Sequence, residues 1–121
     1  MNKVMLVIDD MKYILLILQT FFLKAGYKVL TATDSQTASE LISTVKIDII
    51  ICDLHLGEES KENGEEFIQK IRENFDGLII AITGFELKSK TIKGADKIFL
   101  KPFDAKDLKK YIDEVSDGFS N

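Results

Sequence analysis

Tryptophan is missing from this chain, and proline, cysteine and histidine occur once each. The single cysteine, Cys52, excludes an internal disulfide, and its place in an apolar run marks it as a small core residue. The single histidine, His55, has no partner cluster, so a zinc centre of the Cys/His kind is excluded and His55 reads as a loop residue. Arginine is equally scarce: fifteen of the sixteen basic residues are lysine, which reads as a coding preference more than a functional signal. No apolar run approaches the length of a membrane span, because charges interrupt each one. The most apolar segment, Tyr13 to Leu18, is six residues long, and acids precede it where a signal peptide would carry bases. The expectation is a cytoplasmic protein without membrane contact. A net charge of −4 argues against nucleic acid as a direct partner.

What is present is globular: 121 residues, 45% hydrophobic and 30% charged, enough for one domain over 1–121 with a proper core. Strand signals fall at about 3–8, 27–32, 47–53, 78–82 and 96–100, with helical patterns between and after them. Ala38, Leu41, Ile42 and Val45 recur at i, i+3, i+4, i+7, and Leu108, Tyr111, Ile112 and Val115 repeat that spacing. A helix between them shows Phe67 or Ile68, then Ile71 and Phe75. In the first helix, about 100° per residue puts Ile14, Ile17, Leu18, Phe21 and Phe22 on the expected core face, with Leu15 at its border and Leu16 and Leu23 opposite. Asp34, Asn63 and Asp104 are candidate N-caps, and Gly26 is placed to stop the first helix. Strands alternating with helices five times imply a parallel sheet covered on both faces.

The chemistry gathers at the strand ends. Ile49-Ile50-Ile51-Cys52 closes on Asp53, Val4 to Ile8 runs into Asp9-Asp10, Leu78 to Ile82 into Thr83, and Ile98-Phe99-Leu100 into Lys101-Pro102. Open α/β sheets carry their chemistry at that rim. Two carboxylates 4 Å apart repel by about 4 kcal/mol at an effective dielectric near 20, so either their pKa values rise or a cation sits between them. Oxygen donors without a Cys or His cluster favour a hard divalent ion, Mg²⁺ above all. A Mg²⁺ site beside a lysine and a threonine hydroxyl suits phosphoryl transfer, and an aspartate can itself be the nucleophile. Each residue also has an ordinary alternative: Asp9 and Asp10 as helix caps, Thr83 as a strand-end residue, Lys101 as a solvated charge. All of these coinciding at four strand ends is the less economical reading.

In their order and spacing, Val7-Ile8-Asp9-Asp10, Gly26-Tyr27-Lys28-Val29, Asp53-Leu54-His55-Leu56, Ile82-Thr83-Gly84 and Gly94-Ala95-Asp96-Lys97-Ile98-Phe99-Leu100-Lys101-Pro102-Phe103 resemble the receiver domain of bacterial two-component response regulators. The resemblance implies a three-layer flavodoxin-like fold, five parallel strands in order 2-1-3-4-5 with five helices, two on one face and three on the other. It implies that Asp53 accepts a phosphoryl group from a histidine kinase or histidine phosphotransfer protein. Asp10, Asp53 and the backbone carbonyl of His55 would bind Mg²⁺ directly, and Asp9 through water. Lys101 would pair with the phosphoryl oxygens, Thr83 would bond the phosphorylated form, and the Lys101–Pro102 bond would be cis. The chain is then a switch acting on a downstream protein target, catalysing only its own phosphorylation and dephosphorylation. Leu16 and Leu23, opposite the core face, are either ordinary scattered surface leucines or part of the face on which the phosphodonor docks. With six residues after Val115, no output domain is expected in this chain.

Four features depart from the family's pattern. Gly57 stands where proline is usual, and the loop from Gly57 to Asn63 is a few residues longer. The segment between Thr83 and Gly94 is about four residues shorter, roughly one helical turn. Ile98 occupies the place of the switch aromatic, while Phe99 points to the opposite face. A weaker phosphorylation-driven change near strand five is expected, with more reliance on the Gly57–Asn63 loop. The rival readings are a haloacid-dehalogenase-like aspartate-nucleophile phosphatase and a pseudo-receiver. The first usually has an acid two residues after the nucleophile, where His55 stands here; the second would have lost an acid, the threonine or the lysine.

Overall fold

The computed structural model describes residues 3–56, 63–84 and 91–119. Five strands, β1 (Val4–Ile8), β2 (Lys28–Ala32), β3 (Ile49–Asp53), β4 (Leu78–Thr83) and β5 (Lys97–Leu100), form one parallel sheet in the order β2-β1-β3-β4-β5. The helices are α1 (Lys12–Lys24), α2 (Ser35–Thr44), α3 (Gly64–Arg72) and α4 (Ala105–Phe119).

Alternation along each strand divides the core in two. Met5, Val7, Ile49, Ile51, Leu78, Ile80 and Ile82 face one way and pack with Leu15, Leu18 and Phe22 of α1 and Leu108 and Ile112 of α4. Leu6, Ile8, Ile50, Cys52, Ile79 and Ala81 face the other way, against Ala38 of α2 and Phe67 and Ile68 of α3. Because β1, β3 and β4 have helices on both sides, they can be apolar at nearly every position. Local chemistry fixes the helix ends. Asp34 accepts a hydrogen bond from Thr37 N (2.7 Å) and Asn63 one from Glu66 N (2.8 Å). Gly26, at φ +97°, turns the chain out of α1, as a left-handed glycine after a helix does.

Two expectations need correction. Four helices, not five, are found among the described residues. The fifth was expected between β4 and β5, where the described residues 91–96 make a turn, with Ala95 N donating to Ile92 O (3.0 Å) and Gly94 at φ +94°. Residues 85–90 of that connection lie outside the described residues, as does the 57–62 part of the long loop. The second correction concerns α1. Leu15, placed at the border, is buried, whereas Ile17, placed on the core face, is 55% exposed. The packed stripe is Leu15, Leu18 and Phe22, with Ile14 and Phe21 at its flanks. Leu16 (63% exposed) and Leu23 (52%) lie on the outer side as expected.

Candidate functional site

The parallel register delivers the strand-end residues to one rim. Asp53 is the last residue of β3 and Thr83 the last of β4; both are buried, and so is Asp9, one residue beyond β1. Asp10 is half-buried beside them. Carboxylate oxygens of Asp9, Asp10 and Asp53 all lie within 4.8 Å of one another. Lys101 follows β5 directly, and its Nζ donates to Asp9 Oδ2 and to Asp53 Oδ2, each at 3.0 Å. The other oxygens are held by the backbone: Met11 N donates to Asp9 Oδ1 (2.9 Å) and His55 N to Asp53 Oδ1 (3.1 Å). His55 therefore meets the site through its main chain, while its side chain is exposed. The Lys101–Pro102 peptide is cis, as expected.

Three acids around one ammonium leave the site short of positive charge. Burial, together with the neighbouring Asp53 charge, pushes the Asp9 carboxyl up from 3.8 to about 6, against the stabilising Met11 N–H and Lys101. Burial alone would lower the Lys101 pKa, but the hydrogen bonds and charges of Asp53 and Asp9 outweigh it and raise it. Burial, with Asp53 and Asp9 nearby, pushes the Cys52 thiol strongly upward, so Cys52 offers no thiolate. The donor set is thus all oxygen, clustered, acidic and under-neutralised, which fits a hard divalent cation such as Mg²⁺.

Two supporting features were not legible as such in the sequence. Gly64 begins α3 against the end of β3, its N donating to Leu54 O (3.0 Å). A Cβ there would collide with the Asp53 carbonyl oxygen and lie 2.6 Å from Leu54 Cα, so only glycine lets the helix approach so closely. The Asn63-Gly64 pair signalled a helix start, but not this contact. Met11 N, which fixes Asp9, is a backbone group and leaves no signature.

Along α1 a groove of about 420 Å³ opens beside the site, lined by Tyr13, Ile14, Ile17, Leu18, Pro102 and Phe103, among others. On β5, Ile98 packs on the α2/α3 side, while Phe99 lies on the opposite face, with its ring centroid 6.3 Å from that of Phe103 and 6.0 Å from that of Tyr111.

Comparison with known proteins agrees with this geometry. The chain is 32% identical over 119 residues to the alkaline phosphatase synthesis transcriptional regulatory protein PhoP of Bacillus subtilis, covering 89% of this chain and 46% of that one. It is 34% identical over 109 residues to the response regulator SaeR of Staphylococcus aureus, covering 86% and 46%. It thus spans about half the length of the curated relatives it matches. A two-component response regulator from Clostridium difficile superposes with a TM-score of 0.92 at 20% identity, over 99% of this chain and 100% of that one, which speaks for the flavodoxin-like fold alone. Residues 5–113 match the family model of the response regulator receiver domain, and to that family the chain belongs.

Proposed function

We propose that Asp53 is the phosphoacceptor of a Mg²⁺-dependent phosphorelay step, with a histidine kinase or histidine phosphotransfer protein as donor. The observation that carries this reading is the shared grip of Lys101 Nζ on Asp9 and Asp53 within the three-acid cluster. In the step, an Asp53 carboxylate oxygen attacks phosphorus, an O–P bond forms as the donor's N–P bond breaks, and the imidazole leaves with the electron pair. The His55 N–H on Oδ1 and Lys101 on Oδ2 hold the carboxylate in one orientation, which is most of what phosphoryl transfer asks of a protein. Asp10, Asp53 and the His55 carbonyl would hold Mg²⁺, with Asp9 acting through water; the ion would supply charge neutralisation for the transfer. Lys101 would then pair with the phosphoryl group, and the Thr83 hydroxyl would bond it at the end of β4.

The outer side of α1, with Leu16 and Leu23 exposed and the Ile17–Phe103 groove beside the acids, is the proposed docking face for the donor. The output is a contact with a downstream protein rather than direct nucleic acid binding. No described helix is long and apolar enough to cross a membrane; a cytoplasmic setting is part of the proposal.

Acetyl phosphate with Mg²⁺ should add one acid-stable, base-labile phosphoryl group, read by intact mass. Asp53→Asn and omission of the metal should both abolish it. Equal labelling of wild type and Asp53→Asn would refute the assignment.

A further inference from the structure

β5 is a four-residue strand at the edge of the sheet, paired among the described strands with β4 alone, yet it leads directly into the lysine of the site. Its own side chains define its register poorly. Ile98 and Phe99 are both half-buried, one on each face, so a one-residue slip would exchange one apolar side chain for another. The same slip would carry Lys101 along by about 3.3 Å and turn it to the other face, away from oxygens that it now meets at 3.0 Å.

At the opposite end of the strand stands a grip that burial does not supply. Asp96, the residue before β5, holds both hydrogen-bonding groups of Ile79 on β4: its N–H donates to Ile79 O (2.7 Å), and its Oδ2 accepts from Ile79 N (2.9 Å). Arg72 Nη2 donates to the same Oδ2 at 2.7 Å. Arg72 is itself held by three backbone carbonyls, Nε to Gly94 O (2.8 Å) and Nη1 to Phe75 O (3.0 Å) and Gly77 O (2.9 Å). One guanidinium thus ties the end of α3, the turn into β4 and the turn into β5. It is the only arginine among sixteen basic residues, and the ammonium of lysine has no planar fork to serve these four acceptors together.

We infer that Arg72 and Asp96 are positioning residues that lock the register of β5 and thereby set Lys101 on Asp9 and Asp53. The link to phosphorylation rests on the function proposed above. The structural half does not, because Lys101 N donates to Thr83 O (2.7 Å) and the exchange of that amide reports the register directly.

The test compares wild type with Asp96→Ala, Arg72→Lys and Asp96→Asn. In Asp96→Ala the Lys101 amide should exchange about tenfold faster while amides of β1 and β3 keep their protection. Mg²⁺ affinity should be held or raised, since the acids sit on other elements, while phosphorylation by acetyl phosphate at saturating Mg²⁺ slows about tenfold, as misplacing a positioned group does. Arg72→Lys should show the same pattern more weakly, and carries the test if Asp96→Ala does not fold. Asp96→Asn keeps an acceptor for Ile79 N and Arg72 and should restore most of the rate. Unchanged Lys101 exchange would overturn the inference. So would a parallel loss of β1 and β3 protection and of Mg²⁺ affinity, which would mean general loosening. A wild type that takes no phosphoryl group would refute the proposed function and leave the exchange comparison to decide the register.

Discussion

Two of the strands that end at the site, β3 and β5, are built on opposite plans. In β3 all five residues are buried and both neighbours are strands, so Asp53 is placed by the most constrained part of the sheet. In β5 both end residues are exposed and, among the described residues, only one edge has a partner strand, so Lys101 is placed by a less constrained part. The acids are therefore fixed by core packing, whereas the lysine depends on individual hydrogen bonds at each end of its strand. The half of the site that would hold a metal should be robust, and the half that would meet the phosphoryl group should be sensitive to distant polar substitutions.

The largest expected effect sets the strands against each other directly. Ile50→Ala removes a fully buried side chain between β1 and β4 and should cost about 2–5 kcal/mol, as large-to-small core changes do. Leu100→Ala, on β5, removes a side chain that is 57% exposed and should stay within about 0.5 kcal/mol. Urea unfolding of both variants measures the contrast; equal costs would mean that β5 is covered in solution and that the comparison is wrong.

A smaller effect reads the acid half alone. The Asp9 carboxyl is raised from 3.8 to about 6, first by burial and then by Asp53, so between those values the folded protein binds a proton that the unfolded chain has released. Stability without metal should therefore fall as pH rises from about 4 through 6, by on the order of 3 kcal/mol from this group. Lys101, raised above its ordinary value, stays charged across that window and contributes no slope. Added Mg²⁺ should act in the opposite sense, stabilising more as pH rises through 6, because it needs the carboxylate. Thermal melts in chelator at pH 5 and 7 test this. The slope should flatten in Asp9→Asn, and an identical slope in that variant would assign it elsewhere.

The strand ends were legible because short runs such as Ile49-Ile50-Ile51 admit few readings, and with them came the rim acids, Thr83 and Lys101. Helix α1 was harder. Leu15, Leu16, Ile17 and Leu18 are four apolar residues in a row, so period alone cannot say which way the helix is rolled; the sheet chooses Leu15 and Leu18. Arg72 carries no signal in the sequence, because its partner, Asp96, is 24 residues away and the carbonyls around it have no sequence signature. A fifth helix is implied by the resemblance alone; of the connection from β4 to β5 the described residues 91–96 form a turn, and the apolar pattern there marks no helix face. Sequence thus displayed what alternation and strand ends determine, and concealed what tertiary hydrogen bonds determine.

The smallest expected effect on stability concerns the surface beside both halves of the site. Leu16 and Leu23 lie on the outer side of α1, and neither belongs to the core among the described residues. Replacing both with Gln should leave unfolding free energy within about 0.5 kcal/mol. If the donor docks there, transfer from its kinase should slow, chiefly through faster dissociation, because exposed apolar contacts add little to encounter and more to residence. Transfer from acetyl phosphate, which needs no docking face, should be unchanged. Ile17 sharpens the test: it lies between the outer side of α1 and the groove beside Pro102 and Phe103, so Ile17→Gln alone should slow kinase transfer at least as much as Leu23→Gln, which is about one and two-thirds turns farther along the helix. A Leu23 effect larger than that of Ile17 would move the docking face away from the lysine side of the site. Loss of acetyl phosphate labelling in any of these variants would mean that α1 holds the acids in place, and the surface would not be a docking face at all.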